Sequence, residues 1–167
     1  MKAALAALII LVFGASGAAA DPVSEFSLPD LDGKPQTLAP YRGKWIIINY
    51  WATDCPPCLK EIPELERFYQ AHKDKDAVVV GVNYEDIKLP WLKDFIQSVK
   101  MTYPVLRAEL DSVTPFGAIK ILPTTIIVSP QGELMGAQAG AVTAEMIDHY
   151  IRDHATGPAE NAAATDS

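Results

Sequence analysis

Cysteine is scarce in this chain: Cys55 and Cys58 are the only two among 167 residues. Two sulfurs do not complete a tetrahedral metal site, which needs two further ligands. His72, His149 and His154 are not spaced as a pair near the cysteines, so no metal and no cofactor is expected. The pair is not a structural brace either, because a bridge across two intervening residues constrains the unfolded chain very little. Positive charge is also in short supply. The formal net charge is −7 and no run of Lys or Arg occurs. That excludes non-specific nucleic-acid binding, which depends on basic patches that neutralise phosphates. It equally leaves a polybasic membrane-surface site without support. Long apolar runs are missing beyond the N-terminus, and no internal repeat is present.

What is there begins with a distinct leader. Lys2 is the sole charge in residues 1–20, Ala3 to Phe13 is apolar, and Ala18-Ala19-Ala20 precedes Asp21-Pro22. A positive start, a short apolar middle and a small-residue end describe a secretory signal peptide, with cleavage expected after Ala20. The competing reading is an uncleaved anchor, but the apolar block of about 11 residues falls short of the ~20 that a span needs. Export would place the protein in a compartment where disulfides persist, the periplasm. The expected organisation is therefore a signal over 1–20, one domain over 21–156 and a polar, Ala-rich tail over 157–167.

Within the domain the pattern alternates strands and helices. Glu25–Leu28 and Gln36–Leu38 flank an Asp30–Pro35 turn and form a hairpin. Trp45–Trp51 is β-branched and aromatic almost throughout, which suits a central strand covered on both faces. Leu59, Ile62, Leu65, Phe68 and Tyr69 fall at helical spacing, predicting a helix from Cys55 or Pro56 to near His72 with a kink at Pro63. Ala77–Tyr84 is a second buried strand. Trp91, Leu92, Phe95, Ile96 and Val99 mark a second helix. Tyr103–Leu106 is extended, and Ser112–Ile119 holds a single helical turn. Thr124–Val128 and Glu133–Gln138 flank a tight turn, and Met146, Ile147, Tyr150 and Ile151 mark a last helix to about His154. This is an α/β domain with helices expected on both sheet faces. The Val78 strand should run parallel to the Trp45 strand.

The chemistry lies in Cys55-Pro56-Pro57-Cys58, where a buried strand ends and a helix begins. This spacing puts both sulfurs on the first helical turn, with Cα atoms about 5.5 Å apart, within disulfide reach. Unsatisfied N–H groups at the helix start stabilise a thiolate, which makes Cys55 the nucleophile and Cys58 the resolving thiol. Pro56 and Pro57 are tolerated in the first turn, where a missing N–H costs no helical bond. They also withhold donors from the Cys55 sulfur, and Asp54 adds a negative neighbour. Both features favour a reductant over a strong oxidant.

The segment Trp51-Ala52-Thr53-Asp54-Cys55-Pro56-Pro57-Cys58-Leu59-Lys60-Glu61-Ile62-Pro63-Glu64-Leu65 resembles the active-site segment of the TlpA/ResA-like thioredoxin family. The likeness spans about residues 24–155. It includes Phe26-Ser27-Leu28-Pro29 to Gly43-Lys44 and Leu122-Pro123-Thr124-Thr125. It implies a thioredoxin fold, a central mixed sheet flanked by helices, with an N-terminal β-hairpin extension. It further implies a periplasmic disulfide reductase acting on a disulfide-containing protein, with apocytochrome c as a candidate substrate and a membrane thiol reductase as electron donor. Trp51, Pro56, Pro57, Leu122 and Pro123 correspond to the substrate-facing positions, and Pro123 to the family's cis-proline, which would leave Leu122's backbone free to pair with a substrate strand. An acid near the buried cysteine is also implied, with Glu85 preferred over Asp86. Asp54 stands where the family usually has Trp.

Two rival functions share the fold. A thiol peroxidase needs Pro, then Thr, then a Cys three residues after the Thr, and Ile48 and Ala52 occupy those places. A copper-delivery protein needs C-x-x-x-C with a distal His, and the spacing here is one residue short. An oxidase with an inserted helical domain does not fit the short segment from Asp86 to Pro123.

Overall fold

The computed structural model describes residues 26–110, 112 and 114–155. The expected signal (1–20) and tail (157–167) lie outside the described residues.

A small antiparallel hairpin opens the domain, β1 (Ser27–Pro29) with β2 (Pro35–Thr37). Its turn is set by Asp30, whose carboxylate accepts the Asp32 and Lys34 amides at 2.9 Å each, with Gly33 at φ +78°. Among the described residues the main sheet has five strands in the order β5-β4-β3-β6-β7. They are β3 (Trp45–Trp51), β4 (Ala77–Tyr84), β5 (Val105–Ala108), β6 (Thr124–Val128) and β7 (Leu134–Ala139). β3, β4 and β5 run parallel, whereas β6 and β7 are antiparallel to their neighbours. Every residue of β3 and β4 is buried, as their continuous apolar runs require.

Among the described residues three α-helices pack with these strands: α1 (Pro56–His72) after β3, α2 (Leu89–Ser98) after β4 and α3 (Ala144–Ala155) after β7. α1 runs without a break through Pro63. The buried side chains of all three helices, such as Leu65, Leu92 and Ile147, pack into one cluster with Ile47, Trp51 and Val79. The opposite cluster, with Ile46, Ile48 and Val80, is closed by Phe26 and Leu38, with Phe116 and Ile119 against it. Helices on both faces were expected, and the topology explains the difference. The steps β3 to β4 and β4 to β5 go the same way across the sheet, so two right-handed crossovers lay α1 and α2 on the same face. The helical turn expected over Ser112–Ile119 is, in its described part, a tight turn. Gly117 (φ +96°) donates its amide to the Thr114 carbonyl at 3.0 Å, and the Thr114 hydroxyl donates to the Gly117 carbonyl at 2.7 Å.

Strand register gathers the functional loops at one end. Trp51 at the end of β3 lies opposite Asn83, while Tyr50 pairs with Thr124 at the start of β6. The loops holding Cys55, Glu85 and Pro123 therefore leave the sheet side by side.

Candidate active site

Cys55 and Cys58 are joined as a disulfide, with their Cα atoms 5.2 Å apart. Cys55 is the N-cap of α1, with extended backbone (φ −101°, ψ 100°), and its carbonyl accepts the Leu59 amide at 3.1 Å. Pro56 and Pro57 fill the first turn and are exposed. The two sulfurs differ in access: Cys55 is half-buried, whereas Cys58 has 0% exposure. A partner can reach Cys55 alone, while the helix start favours the anionic form of that sulfur.

One turn beyond Cys58 stands Glu61, a carboxylic acid only 1% exposed. Its Oε1 accepts from Asn49 Nδ2 at 2.8 Å and its Oε2 from the Val142 amide at 3.1 Å. Burial pushes its pKa up to about 7, against the opposing pull of those two hydrogen bonds. Asn49, fully buried in β3, also donates to Thr125 Oγ1 at 3.1 Å. Tyr103, behind this group, has its hydroxyl pKa raised by burial and then by the charge of Glu61. A carboxyl that titrates near neutrality beside a buried thiol can take up and return a proton.

The preferred acid from the sequence, Glu85, sits elsewhere. It is half-buried, and both its oxygens are engaged by the turn before Cys55. Thr53 donates its amide to Oε1 at 2.8 Å and its hydroxyl to Oε2 at 3.0 Å, and Asn83 Nδ2 donates to Oε1 at 2.7 Å. The alternative, Asp86, is exposed. Glu61 lies within the Trp51–Leu65 segment but is not among the acids that the sequence singles out. Its signal was a glutamate next to Ile62 in the apolar stripe of α1, at the i+3 spacing that stacks it over Cys58. Asp54 is exposed.

Trp51 requires a correction. It was expected on the substrate surface, yet it is 0% exposed and stacks on Phe95 with ring centroids 5.7 Å apart. As the last residue of a strand covered on both faces it has no route to solvent, so it supports the site from below. On the other flank the Leu122–Pro123 peptide bond is cis. Pro123 is buried, Leu122 half-buried and Ile121 61% exposed. The Pro123 carbonyl accepts the Gly140 amide at 2.8 Å, tying this loop to the end of β7.

Comparison with known proteins finds similarity to thiol-disulfide oxidoreductases. Residues 19–137 match the AhpC/TSA family. The chain is 30% identical over 134 residues to the thiol-disulfide oxidoreductase ResA of Halalkalibacterium halodurans, covering 80% of this chain and 75% of that protein. It is 29% identical over 153 residues to ResA of Bacillus subtilis, covering 88% and 85%. Among solved structures, a DsbF homologue from Corynebacterium diphtheriae superposes with a TM-score of 0.70 at 28% identity, covering 79% of this chain and 85% of that one.

Proposed function

The chain belongs to the AhpC/TSA family and is a thiol-disulfide oxidoreductase, and from that premise we propose that it is an exported reductant of protein disulfides. The observation that carries the direction is the setting of Cys55, where Pro56 and Pro57 withhold N–H donors from its sulfur and an exposed Asp54 adds negative charge beside it. The unequal burial of the two sulfurs supports Cys55 as the attacking and Cys58 as the resolving thiol. In the reductive cycle the Cys55 thiolate attacks one sulfur of the substrate disulfide. The substrate S–S bond breaks, a mixed disulfide forms, and the displaced substrate thiolate takes a proton. Glu61 accepts the proton of Cys58. The Cys58 thiolate then attacks the Cys55 sulfur, the mixed disulfide breaks, and the second substrate thiolate leaves and takes the proton held by Glu61. Two electrons have passed to the substrate, and the enzyme is left in the disulfide form. A membrane thiol reductase is the proposed source of the electrons that reopen it.

The proposed substrate is an extended, cysteine-containing polypeptide. Only a segment that lies flat across an exposed helix start can present its sulfur to Cys55. Exposed Ile121 and the Leu122 backbone offer such a segment apolar contact and main-chain pairing. An apocytochrome c haem-attachment segment meets that description, and its cysteines need a reductant outside the cytosol. The leader over 1–20 supports export to the periplasm.

The test pairs the reduced protein with an oxidised C-x-x-C-H peptide and, separately, with hydrogen peroxide. Reduction of the peptide faster than of unrelated disulfides is expected. Rapid turnover of peroxide with the peptide untouched would make the protein a peroxidase instead. A glutathione titration should give a potential nearer thioredoxin's (about −270 mV) than DsbA's (about −120 mV).

A further inference from the structure

We propose that Glu85 is a positioning residue: it clamps the Thr53–Asp54 turn and thereby holds Cys55 at the head of α1. The inference rests on the oxidoreductase reading in one respect, that Cys55 is the attacking thiol.

Only residues 52–54 separate Trp51, fixed in the sheet, from Cys55, fixed at the helix start. Thr53 is the middle one, and Glu85 holds it twice, by the amide at 2.8 Å and by the hydroxyl at 3.0 Å. The other anchor is Asn83, itself 0% exposed in β4, whose Nδ2 lies 2.7 Å from the same Oε1. Three donors on two oxygens form an acceptor-only arrangement that the carboxylate supplies. Since Trp51 and Asn83 are register partners, the carboxylate ties together the loops leaving two adjacent parallel strands.

The tie matters because of what Cys55 lacks. Its side chain makes no capping hydrogen bond, and Pro56 and Pro57 contribute no N–H. The sulfur's anionic form therefore depends on where the loop puts it relative to the remaining helix N–H groups. A loosened turn lets the sulfur drift from them.

The placement carries a prediction whose sign separates it from simple electrostatics. Glu85 and its chain neighbour Asp86 bring negative charge to this end of the sheet, as Asp54 does from the turn itself. If Glu85 acted through charge, removing it would favour the Cys55 thiolate. If it acts by position, removing it disfavours the thiolate. Glu85→Gln keeps the clamp without the charge: its Oε1 can accept from Thr53 and Asn83, and its amide can donate to the Thr53 hydroxyl. Glu85→Ala removes both.

The experiment follows alkylation of Cys55 by iodoacetamide against pH in the reduced full chain, read by peptide mass. Glu85→Ala should raise the apparent Cys55 pKa and slow alkylation at pH 7 about threefold, a half-unit effect, while Glu85→Gln stays near wild type. A fall in pKa in both variants, an equal rise in both, or no change in either would overturn the proposal. If Glu85→Ala does not fold, Thr53→Ala serves: it removes one of the two holds and should slow alkylation about twofold, and an unchanged rate would equally overturn it.

Discussion

The two flanks of the disulfide are built on opposite principles, although the Cα atoms of Cys55 and Cys58 are only 5.2 Å apart. The Cys55 flank is wet and polar: an exposed Asp54, a half-buried Glu85 and a turn held by hydrogen bonds. The Cys58 flank is dry: a fully buried sulfur, a 1% exposed Glu61 and the buried Asn49 and Thr125 behind it. Each flank carries a glutamate, and the environment alone gives them different properties. Glu61 loses its hydration and is driven towards the neutral form. Glu85 keeps three donors and serves as an acceptor. In the proposed cycle one side serves attack and the other handles a proton, and the site is asymmetric in burial before any partner arrives.

The largest effect that could break this comparison is an exchange of the sulfurs' roles. Cys55→Ser should abolish disulfide reduction and trap nothing, whereas Cys58→Ser should accumulate mixed disulfides through Cys55. Trapping in Cys55→Ser alone, seen on a non-reducing gel, would reverse the assignment.

Next comes the acid. Glu61→Gln should slow release of the mixed disulfide about a hundredfold at pH 7, in the range usual for loss of a general base. A rate equal to wild type would remove Glu61 from the proton path. The same variant sharpens the contrast through stability. A glutamate whose folded pKa is raised from 4.5 to about 7 binds its proton more tightly in the folded state. Its stabilising contribution is full below pH 4.5 and is lost as pH rises through 7. The oxidised protein should thus lose roughly 3 kcal/mol across that window relative to Glu61→Gln, measured by denaturant titration at several pH values. A Gln variant with the same slope as wild type would show that another group titrates.

A smaller effect concerns what lies under the dry flank. A Cβ at Gly81 would stand 2.9 Å from Tyr103 Cε2 and 3.1 Å from Trp51 Nε1. Gly81→Ala should destabilise the fold by about 1–3 kcal/mol, read from the denaturation midpoint, because this packing has no room to yield. An unchanged midpoint would mean that Tyr103 moves freely. The smallest effect is on the wet flank. Asp54→Asn should lower the Cys55 pKa by about a few tenths of a unit, since an exposed charge is well screened. The pH profile of alkylation reads it directly, and a rise would show that Asp54 supports the sulfur in some other way.

Much of this site was legible in the residues themselves. Cys55-Pro56-Pro57-Cys58 after a buried strand gives the helix start and the disulfide spacing from local geometry alone. The strands Trp45–Trp51 and Ala77–Tyr84 declare themselves through unbroken apolar runs. Trp51 did not declare its orientation: a tryptophan next to the motif reads equally as surface or core, and only the packing of Phe95 resolves it. Glu85 and Glu61 are alike as letters, and neither shows how much water it retains.

The sequence by itself determined the order of elements and the reactive pair, because each depends on residues near one another in the chain, whereas the cis bond at Pro123 was implied only by the family resemblance. Tertiary structure decided the rest. It placed the helices' buried side chains on one face, since handed crossovers are a property of strand order. It set Glu61 in the dry and Glu85 on a turn 32 residues away in the chain, since desolvation and long-range hydrogen bonds exist only after the strands have paired.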